Sequence, residues 1–502
     1  MTNMSRKLWA GLAGVLLFFF LLALMLSATK RPWMDEAWVA NPAIDLVTRG
    51  MTGVTVMEPT GHGVLVGLKY SGIEDHTYLW LPFAAVLQSV WYRILGFSVF
   101  SVRGFSVFWG LIGLLCWFYI VRKISGLNRL ALLTMALIAI DGSFLDAASD
   151  GRVDMLSASL ALCAVTAYLH FRQSNLPSAV LSGSALATAA FLTHPVGGVG
   201  FAVLLLLYIH CDRGRFLWWH PALPVLPLLL AAAGWGWYIL QNPADFRAQT
   251  ASLFQGRLGG IRAPWTGIVR EFTERYLDYY LPSTATGFKK VKVLILATYF
   301  LTVAVCLGVR PIRKHPKWRV LLLFAPLYML LFAIFEGGKM KYYLVYLTPP
   351  MALCLAIVST WCWNHSEKWR RVIVPVLVGF GLLQVGWAAT LIARNPYRTE
   401  YTPVAQYLNE YRQSSDLVYG CGEWAFVLGF YGHFRIDTTL GYTTGKRAKF
   451  IVWEDRCMQQ ALAGYALKAP PIHRYMTDLL AREYRVAFKN SYYTVYKLNA
   501  AM

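Results

Sequence analysis

The sequence is poor in charged residues, and acidic side chains are the scarcest of them. Only 15% of its 502 residues are charged, with 26 Asp and Glu against 47 Lys and Arg. Hydrophobic residues make up 57% and gather in runs of about 20, the length that crosses a bilayer. This composition excludes an ordinary soluble domain and indicates an integral membrane protein.

Three further features are missing. No Cys and His spacing typical of a zinc site occurs, and neither an internal repeat nor a low-complexity segment stands out. The first apolar run, 8–28, lacks a small-x-small cleavage site, so we expect a membrane helix rather than a signal peptide. Six of the 8 cysteines lie in or beside apolar runs, whereas Cys421 and Cys457 lie in a polar region and could form a disulfide in an oxidising compartment.

Long apolar runs predict the membrane-spanning helices. They cover residues 8–28, 101–121, 128–147, 154–171, 177–193, 195–211, 221–240, 291–309, 319–335, 342–361 and 371–393. One more run, 79–97, is ambiguous. If it does not span, the Lys and Arg clusters at 6–7, 122–123, 172, 213–215, 310–317 and 368–371 all fall on one side, which must be cytoplasmic. We therefore predict a helix at the outer interface over 79–97, where Trp80, Trp91 and Tyr92 suit that depth.

This topology predicts a cytoplasmic N-terminus and an outer C-terminus, with outer loops at about 29–100 and 241–290. The basic residues are topological signals between apolar runs, so no nucleic-acid partner is expected. From about 394 the composition changes: "DLVYGC", "AKFIVWED" and "RVAFKNSYYTVYKLN" indicate strands, and "EWAFVLGFYG" and "PIHRYMTDLLAREY" indicate helices. The predicted fold is a polytopic α-helical membrane domain, 1–393, with about 11–13 transmembrane helices, followed by a small extracytoplasmic α/β domain, 394–502.

Polar side chains from distant segments are predicted to meet on the outer face. They are Asp35 and Glu36 after the first helix, Arg103, Asp150, Arg152 and Asp154 in "SDGRVDM", His194 in "LTHP", and Glu336, Lys339, Lys341 and Tyr343 in "EGGKMKYY". A charge at the bilayer centre costs at least about 2.5–3.5 kcal/mol, so helix ends are the expected places for such residues. Each one alone is also explained by ordinary interfacial polarity.

The order of these motifs resembles GT-C superfamily glycosyltransferases, in the branch of protein O-mannosyltransferases and lipid A aminoarabinose transferases. The matching elements are Asp35-Glu36, "ILGFSVFSVRGFSVFWGL" with Arg103, "GRVDMLSASLAL" with Asp154, and "KMKYYLVYLTPP" with Lys339 and Tyr343. Where that branch often has Lys or His before Pro-Pro, this chain has "EDHTYLWLPF", so His76 is only a loose match.

The resemblance implies transfer of a hexosyl or pentosyl group from a polyprenyl-phosphate donor to an acceptor hydroxyl, on the extracytoplasmic face of what we expect to be a bacterial inner membrane. The candidate catalytic residues are Asp35, Asp154 and Glu36. Asp35 is expected to be the general base, and Asp154 to hold the acceptor or orient a cation. Glu36 either takes part in catalysis or only caps or orients the loop. Candidates for the donor phosphate are Lys339, Lys341, Tyr343 and an arginine of the 241–290 loop, which is Arg257, Arg262 or Arg270. Arg103 either contacts the lipid phosphate or holds the first loop by pairing with an acid. His194 and His76 are candidate substrate contacts. No cofactor is required, although a divalent cation between Asp35 and Asp154 stays open.

Two other classes of function fit parts of the sequence. One is a lipid-linked sugar transporter or flippase, which intramembrane charges and a broken helix would suit. The other is a non-catalytic membrane assembly protein that uses its outer domain for binding. The clustering of acids on one side and the lack of a visible two-fold repeat disfavour the transporter.

Overall fold

The structure is a computed structural model that describes residues 5–60, 70–257, 264–281, 288–454 and 456–499. It is 73% helical. The α-helices in chain order are α1 (Arg6–Thr29), α2 (Met34–Thr48), α3 (Pro82–Leu95), α4 (Val99–Ser125), α5 (Asn128–Ile140), α6 (Gly142–Ser149), α7 (Asp154–Phe171), α8 (Leu176–Thr193), α9 (Val199–Leu207), α10 (Val225–Gln241), α11 (Pro243–Arg257), α12 (Pro264–Arg270), α13 (Asp278–Tyr280), α14 (Phe288–Val291), α15 (Val293–Gly308), α16 (Arg310–Arg313), α17 (Phe324–Phe335), α18 (Leu344–His365), α19 (Glu367–Arg394), α20 (Thr402–Tyr411), α21 (Ala425–Leu428), α22 (Cys457–Lys468) and α23 (Pro470–Arg482).

The apolar helices make this an integral membrane protein. Among the described residues, 8 helices are long and apolar enough to cross a bilayer, and α5 with α6 would form a ninth, bent span. Two shorter apolar helices, Val293–Gly308 and Leu321–Phe335, fall on the other two predicted runs. The polytopic helical fold is thus confirmed. Helix α3 has 14 residues, fewer than the roughly 20 that a span needs, which agrees with an interfacial position.

The contacts of the chain divide it into two units. The first, which we call the membrane unit, comprises Met1–Leu26, Ser106–Trp235 and Gln255–Thr390. The second, the sheet unit, comprises Ser27–Phe105, Gly236–Phe254 and Leu391–Met502. This division differs from the predicted boundary at 393, because segments before it share the hydrophobic core of the C-terminal part. For example, the backbone N–H of Ile436 donates to the carbonyl of Val56 at 2.7 Å.

The sheet unit is built on five strands, β1 (Val418–Tyr419), β2 (Phe434–Arg435), β3 (Phe450–Glu454), β4 (Tyr484–Lys489) and β5 (Tyr493–Leu498). Their order is β2-β1-β3-β5-β4, with β1 parallel to β2 and β3 and with β5 antiparallel to β3 and β4. All of β3 is buried: Phe450 and Val452 join one hydrophobic cluster, and Ile451 and Trp453 join the other. Because side chains alternate along a strand, both faces of the central sheet are covered, as its continuous apolar sequence requires.

A disulfide joins Cys421, just after β1, to Cys457 at the start of α22. The two cysteines are 36 residues apart in sequence, and they follow β1 and β3, which are neighbours inside the sheet. Closing a loop of this length lowers the entropy of the unfolded chain and so stabilises the folded state by roughly 2–4 kcal/mol. The carboxylate of Glu454 lies close to both sulfurs, but sulfurs bonded to each other do not provide thiolate ligands for a metal ion.

The buried carboxyl of Glu423 lies in the core of the sheet unit. Only 2% of the residue is exposed, and its side chain accepts a long hydrogen bond of 3.5 Å from the hydroxyl of Tyr493. Burial, and next the negative charge of Glu454, raises the pKa of Glu423 from 4.5 to about 8. The carboxyl therefore carries its proton at neutral pH.

This raised pKa makes the sheet unit less stable as pH rises. The folded state holds the proton more tightly than the unfolded chain, so the stabilisation is complete below about pH 4.5 and is lost by about pH 8. The slope approaches 1.4 kcal/mol per pH unit within that window. We expect the unfolding temperature to fall between pH 5.5 and 8.5, and the fall to be much smaller in Glu423→Gln, which resembles the neutral acid. Exposed Glu410→Gln serves as the control, and an unchanged pH profile in Glu423→Gln would contradict the assignment.

In the membrane unit, a buried aspartate marks the break between α5 and α6. The two helices meet at 62°, and Asp141 between them caps α6 by accepting from the backbone N–H groups of Ser143 and Phe144. The same carboxylate accepts from three distant side chains, which are Tyr299 at 2.7 Å, Thr348 at 2.8 Å and Gln384 at 3.1 Å. Five donors satisfy the buried charge, and the bond network joins α6 to α15, α18 and α19.

Candidate active site

The predicted acid pair occupies the first turn of α2, in the sheet unit. Asp35 is half-buried and Glu36 is buried. The first turn of a helix favours carboxylates, because its unpaired N–H groups carry partial positive charge. The Oε2 atom of Glu36 also accepts from the backbone N–H of Trp33 at 2.8 Å, which fixes the start of the helix.

Arg103, from the first turns of α4, locks this helix start in place. Its guanidinium donates to both carboxylate oxygens of Glu36, at 2.7 and 2.8 Å. The remaining N–H groups reach the backbone carbonyls of Ser27 at 2.5 Å, Lys30 at 2.8 Å and Arg31 at 3.0 Å. All five donors of the fully buried side chain are thereby used.

These contacts give Arg103 and Glu36 a structural role at the start of α2. Arg103 has no donor left for a phosphate in this arrangement, so the predicted phosphate contact has no support here. Glu36 is the partner of a buried cation and fixes the start of α2, while a part for it in catalysis stays a prediction. Asp35, its neighbour, is therefore held by a rigid backbone, and its proposed role as a base depends on that rigidity.

A second polar cluster lies in the membrane unit, at the ends of two spans. Asp154 is the first residue of α7, and Lys341 and Tyr342 directly precede α18. The Oδ2 atom of Asp154 accepts from Nε of Arg152 at 2.7 Å, and the Arg152 guanidinium lies 4.0 Å from the centre of the Tyr342 ring. The Nζ atom of Lys341 lies 5.2 Å from the same ring. These contacts bring a carboxylate and two cations together.

The cluster lines a small cavity. Its described lining residues are Ser143, Asp146, Ala147, Asp150, Arg152, Asp154, Tyr279, Lys341 and Tyr342. Asp154 is only 1% exposed, and its Oδ1 atom has no hydrogen-bond partner among the described residues. A buried carboxylate oxygen without a donor is costly, and a hydroxyl placed in the cavity would supply one. The arrangement can thus hold a hydroxyl next to a cation.

Lys339 is also buried, but it is engaged with the protein. Its Nζ donates to the carbonyls of Phe332 at 2.9 Å and Ala333 at 2.8 Å, and lies 3.2 Å from Oε2 of Glu271. Burial lowers the pKa of Lys339 and raises that of Glu271, while their mutual attraction opposes both shifts. Arg275 joins this network by pairing with Glu271 at 2.8 Å and with Glu336. Binding a phosphate at Lys339 would require exchange of the Glu271 contact.

The other predicted site residues fall in three places. Tyr343 and His194 meet in the membrane unit, with the phenol oxygen 3.3 Å from Nε2 of the imidazole. His76 lies in the sheet unit, where its ring meets the edge of Tyr238 at 5.9 Å. Arg262 lies outside the described residues. Asp35 and Asp154 belong to different units, so their predicted facing of one cavity stays a prediction.

Sequence reasoning placed Arg152 with Asp154 on the outer face but gave it no role, and it did not single out Tyr342, Glu271 or Arg275. Arg152 stood in the same "SDGRVDM" motif as Asp154, and the spacing of two residues was a usable signal for a pair at the start of a helix. Tyr342 stood between two predicted site residues. Glu271 and Arg275 carried no such signal, because they come from a polar stretch with many charges.

Comparison with known proteins identifies the fold. Neither a protein-family model nor a curated protein matches the chain. Among solved structures, ArnT from Cupriavidus metallidurans bound to undecaprenyl phosphate is similar over 98% of both chains, with a TM-score of 0.59 and 16% identity. The oligosaccharyltransferase AglB from Archaeoglobus fulgidus, in complex with an inhibitory peptide and a dolichol-phosphate, is similar over 94% of this chain and 72% of its own, with a TM-score of 0.52 and 14% identity. The chain therefore has the GT-C fold that the order of its sequence motifs predicted.

Proposed function

We propose that the chain is a membrane glycosyltransferase that moves a sugar from a polyprenyl-phosphate donor to an acceptor hydroxyl on the extracytoplasmic face. The observation that carries the proposal is the cluster of buried Asp154 with half-buried Arg152 and Lys341, at helix ends of the membrane unit. The GT-C fold adds support, since the similar ArnT structure holds undecaprenyl phosphate. Fold alone does not set an activity, so the proposal depends on the cluster.

Sugar transfer involves three changes in the substrates. The acceptor oxygen attacks the anomeric carbon, the bond from that carbon to the phosphate oxygen breaks, and the hydroxyl proton leaves. Asp35 takes the proton as general base. The departing polyprenyl phosphate gains negative charge, which a nearby cation stabilises. The products are the glycosylated acceptor and polyprenyl phosphate, with the proton on Asp35.

The described contacts suggest a division of labour for the phosphate and the acceptor. Lys341 lines the cavity and is half-buried, which suits it to the phosphate. Asp154 positions the acceptor hydroxyl through its open Oδ1, while Arg152 holds the other oxygen. Lys339, Tyr343 and Arg262 remain further candidates for the donor. The polyprenyl tail stays in the bilayer, and only its head must reach the helix ends.

The same placement argues against the transporter alternative. Transporter sites are typically near the bilayer midplane, whereas Asp154 begins one span and Lys341 precedes another. A transporter would also leave the donor chemically unchanged.

The test compares a deletion strain with strains complemented by the natural chain or by Asp154→Asn. Mass spectrometry of lipids and envelope glycans is expected to show one product that lacks a sugar unit in the deletion strain. A polyprenyl-phosphate sugar should accumulate in parallel. Asp154→Asn should reproduce both changes at normal protein level, and exposed Asp478→Asn should restore the natural pattern. Unchanged glycans in the deletion strain would reject the proposed activity. Normal modification of the acceptor by Asp154→Asn would reject the proposed role of Asp154.

A further inference from the structure

An apolar cavity of about 460 Å³ lies within the sheet unit, and none of its lining residues belongs to the proposed active site. Thirteen described residues line it: Ile44 of α2, residues 97–100 just before and in the first turn of α4, Tyr397 and Tyr401, and residues 425–427 and 429–431. None of these thirteen carries a charged side chain. Small-molecule pockets have volumes of about 300–1,000 Å³ and largely apolar linings, so the cavity has the size and character of a binding site.

Aromatic rings form its walls. Phe97 stacks on Phe426 with ring centres 6.0 Å apart and meets the edge of Phe430 at 5.2 Å. Phe100 packs against Tyr397 at 5.4 Å, yet 47% of Phe100 stays exposed. Exposed aromatic surface beside an apolar cavity indicates an apolar partner.

A helix whose exposed surface suits lipid directly precedes the cavity-lining segment 97–100 in the chain. Helix α3 exposes Val86, Val90 and Ile94, which are 47, 52 and 74% accessible and repeat every four residues along one face. The helix ends at Leu95, two residues before Phe97, and the span α4 begins at Val99. The apolar stripe thus leads along the chain from the interfacial helix to the cavity.

Charge next to this surface suggests the type of lipid. Arg93 lies in the last turn of α3, four residues before Phe97, and Arg398 follows the lining residue Tyr397. Both arginine side chains are exposed. Guanidinium groups are well suited to phosphate oxygens.

We propose that the cavity holds an acyl chain of a membrane phospholipid, with Arg93 and Arg398 contacting its phosphate. The cavity accommodates the end of the chain between Phe97, Phe426 and Phe430, and the rest of the lipid lies along α3. A bound lipid would bridge α3 and the cavity-lining segments, all of which belong to the sheet unit. This site is separate from the donor site, and its occupation does not depend on glycosyl transfer.

The test uses the full-length protein in nanodiscs that contain a phosphatidylglycerol with a photoactivatable diazirine near the end of one acyl chain. After illumination and digestion, mass spectrometry is expected to place most adducts on peptides containing 97–100 and 425–431. Val427→Trp, which fills the cavity, should lower these adducts at least several-fold. The matched variant Val486→Trp, at an exposed valine on β4 that does not line the cavity, should not lower them.

A second variant keeps the test decisive if Val427→Trp does not fold. Arg93→Gln combined with Arg398→Gln changes only exposed side chains, and should lower the same adducts without shifting the unfolding temperature. Adducts spread evenly over the apolar surfaces of the spans would overturn the proposal. So would an unchanged adduct yield in folded Val427→Trp, or crosslinks from this cavity to a second copy of the chain.

Discussion

Asp35→Asn is expected to lower sugar transfer on the order of 10²-fold or more, with little change in donor affinity. Asparagine keeps the size and the position in the first turn of α2 but cannot accept a proton at neutral pH. The structure supports a clean result, because Glu36 and Arg103 hold the helix start independently of the Asp35 side chain. Initial rates of product formation in nanodiscs, and separate binding of undecaprenyl phosphate, measure the two quantities.

The control for this experiment is Asp478→Asn, an exposed acid on α23 that should leave both quantities unchanged. Near-normal transfer by Asp35→Asn would remove the general-base assignment. A loss of undecaprenyl phosphate binding equal to the loss in rate would instead make Asp35 a donor contact. Asp154→Asn should impair transfer through acceptor positioning, so its effect should be larger at low acceptor concentration.

Of the substitutions proposed here, Arg103→Leu should cause the largest loss in the free energy of unfolding, about 3–5 kcal/mol. The substitution leaves the carboxylate of Glu36 buried without its cation, and removes the donors to the carbonyls of Ser27, Lys30 and Arg31. Removing both charges, in Glu36→Gln with Arg103→Leu, should recover part of the loss, since no uncompensated charge remains. The unfolding temperature and the yield of monodisperse protein in mild detergent report the difference.

Exposed Arg485→Gln on β4 is the matched control and should leave stability unchanged within about 0.5 kcal/mol. An Arg103→Leu protein as stable as the natural chain would show that the buried pair is not needed for folding. If Arg103→Leu kept normal stability but lost undecaprenyl phosphate binding, Arg103 would be a phosphate contact after all, contrary to its contacts in the structure.

The sequence predicted the spans well because length and hydropathy are local properties. Eleven apolar runs correspond to the apolar helices, including the two short ones, Val293–Gly308 and Leu321–Phe335. The strand β3 was also predictable, since "FIVWE" is buried at every position. The two-residue strand β2 was not, because its pairing with β1 depends on a distant partner rather than on its own two residues.

Other differences between the sequence-based predictions and the structure have specific physical causes. The segment "EWAFVLGFYG" was predicted to be a helix, but α21 ends at Leu428, where Gly429 takes a φ of 92° that favours glycine and stops the helix. The role of Arg103 could not be decided from sequence, since its partner Glu36 is 67 residues away. The engagement of Lys339 by Glu271 is likewise set by tertiary contacts. Motif order predicted that these residues lie at or near helix ends, but not which of them neutralise each other.

The break at Asp141 has a consequence for biosynthesis. Its side-chain partners Tyr299, Thr348 and Gln384 follow 158, 207 and 243 residues later in the chain. At a synthesis rate of about 5–20 residues per second, the last partner is made roughly 10–50 s after Asp141. The aspartate therefore enters the bilayer before these partners exist, and this region of the bundle becomes fully bonded only once α19 has been made. A ribosome that stalls between Thr348 and Gln384 leaves behind a nearly complete bundle in which this carboxylate still lacks one of its donors.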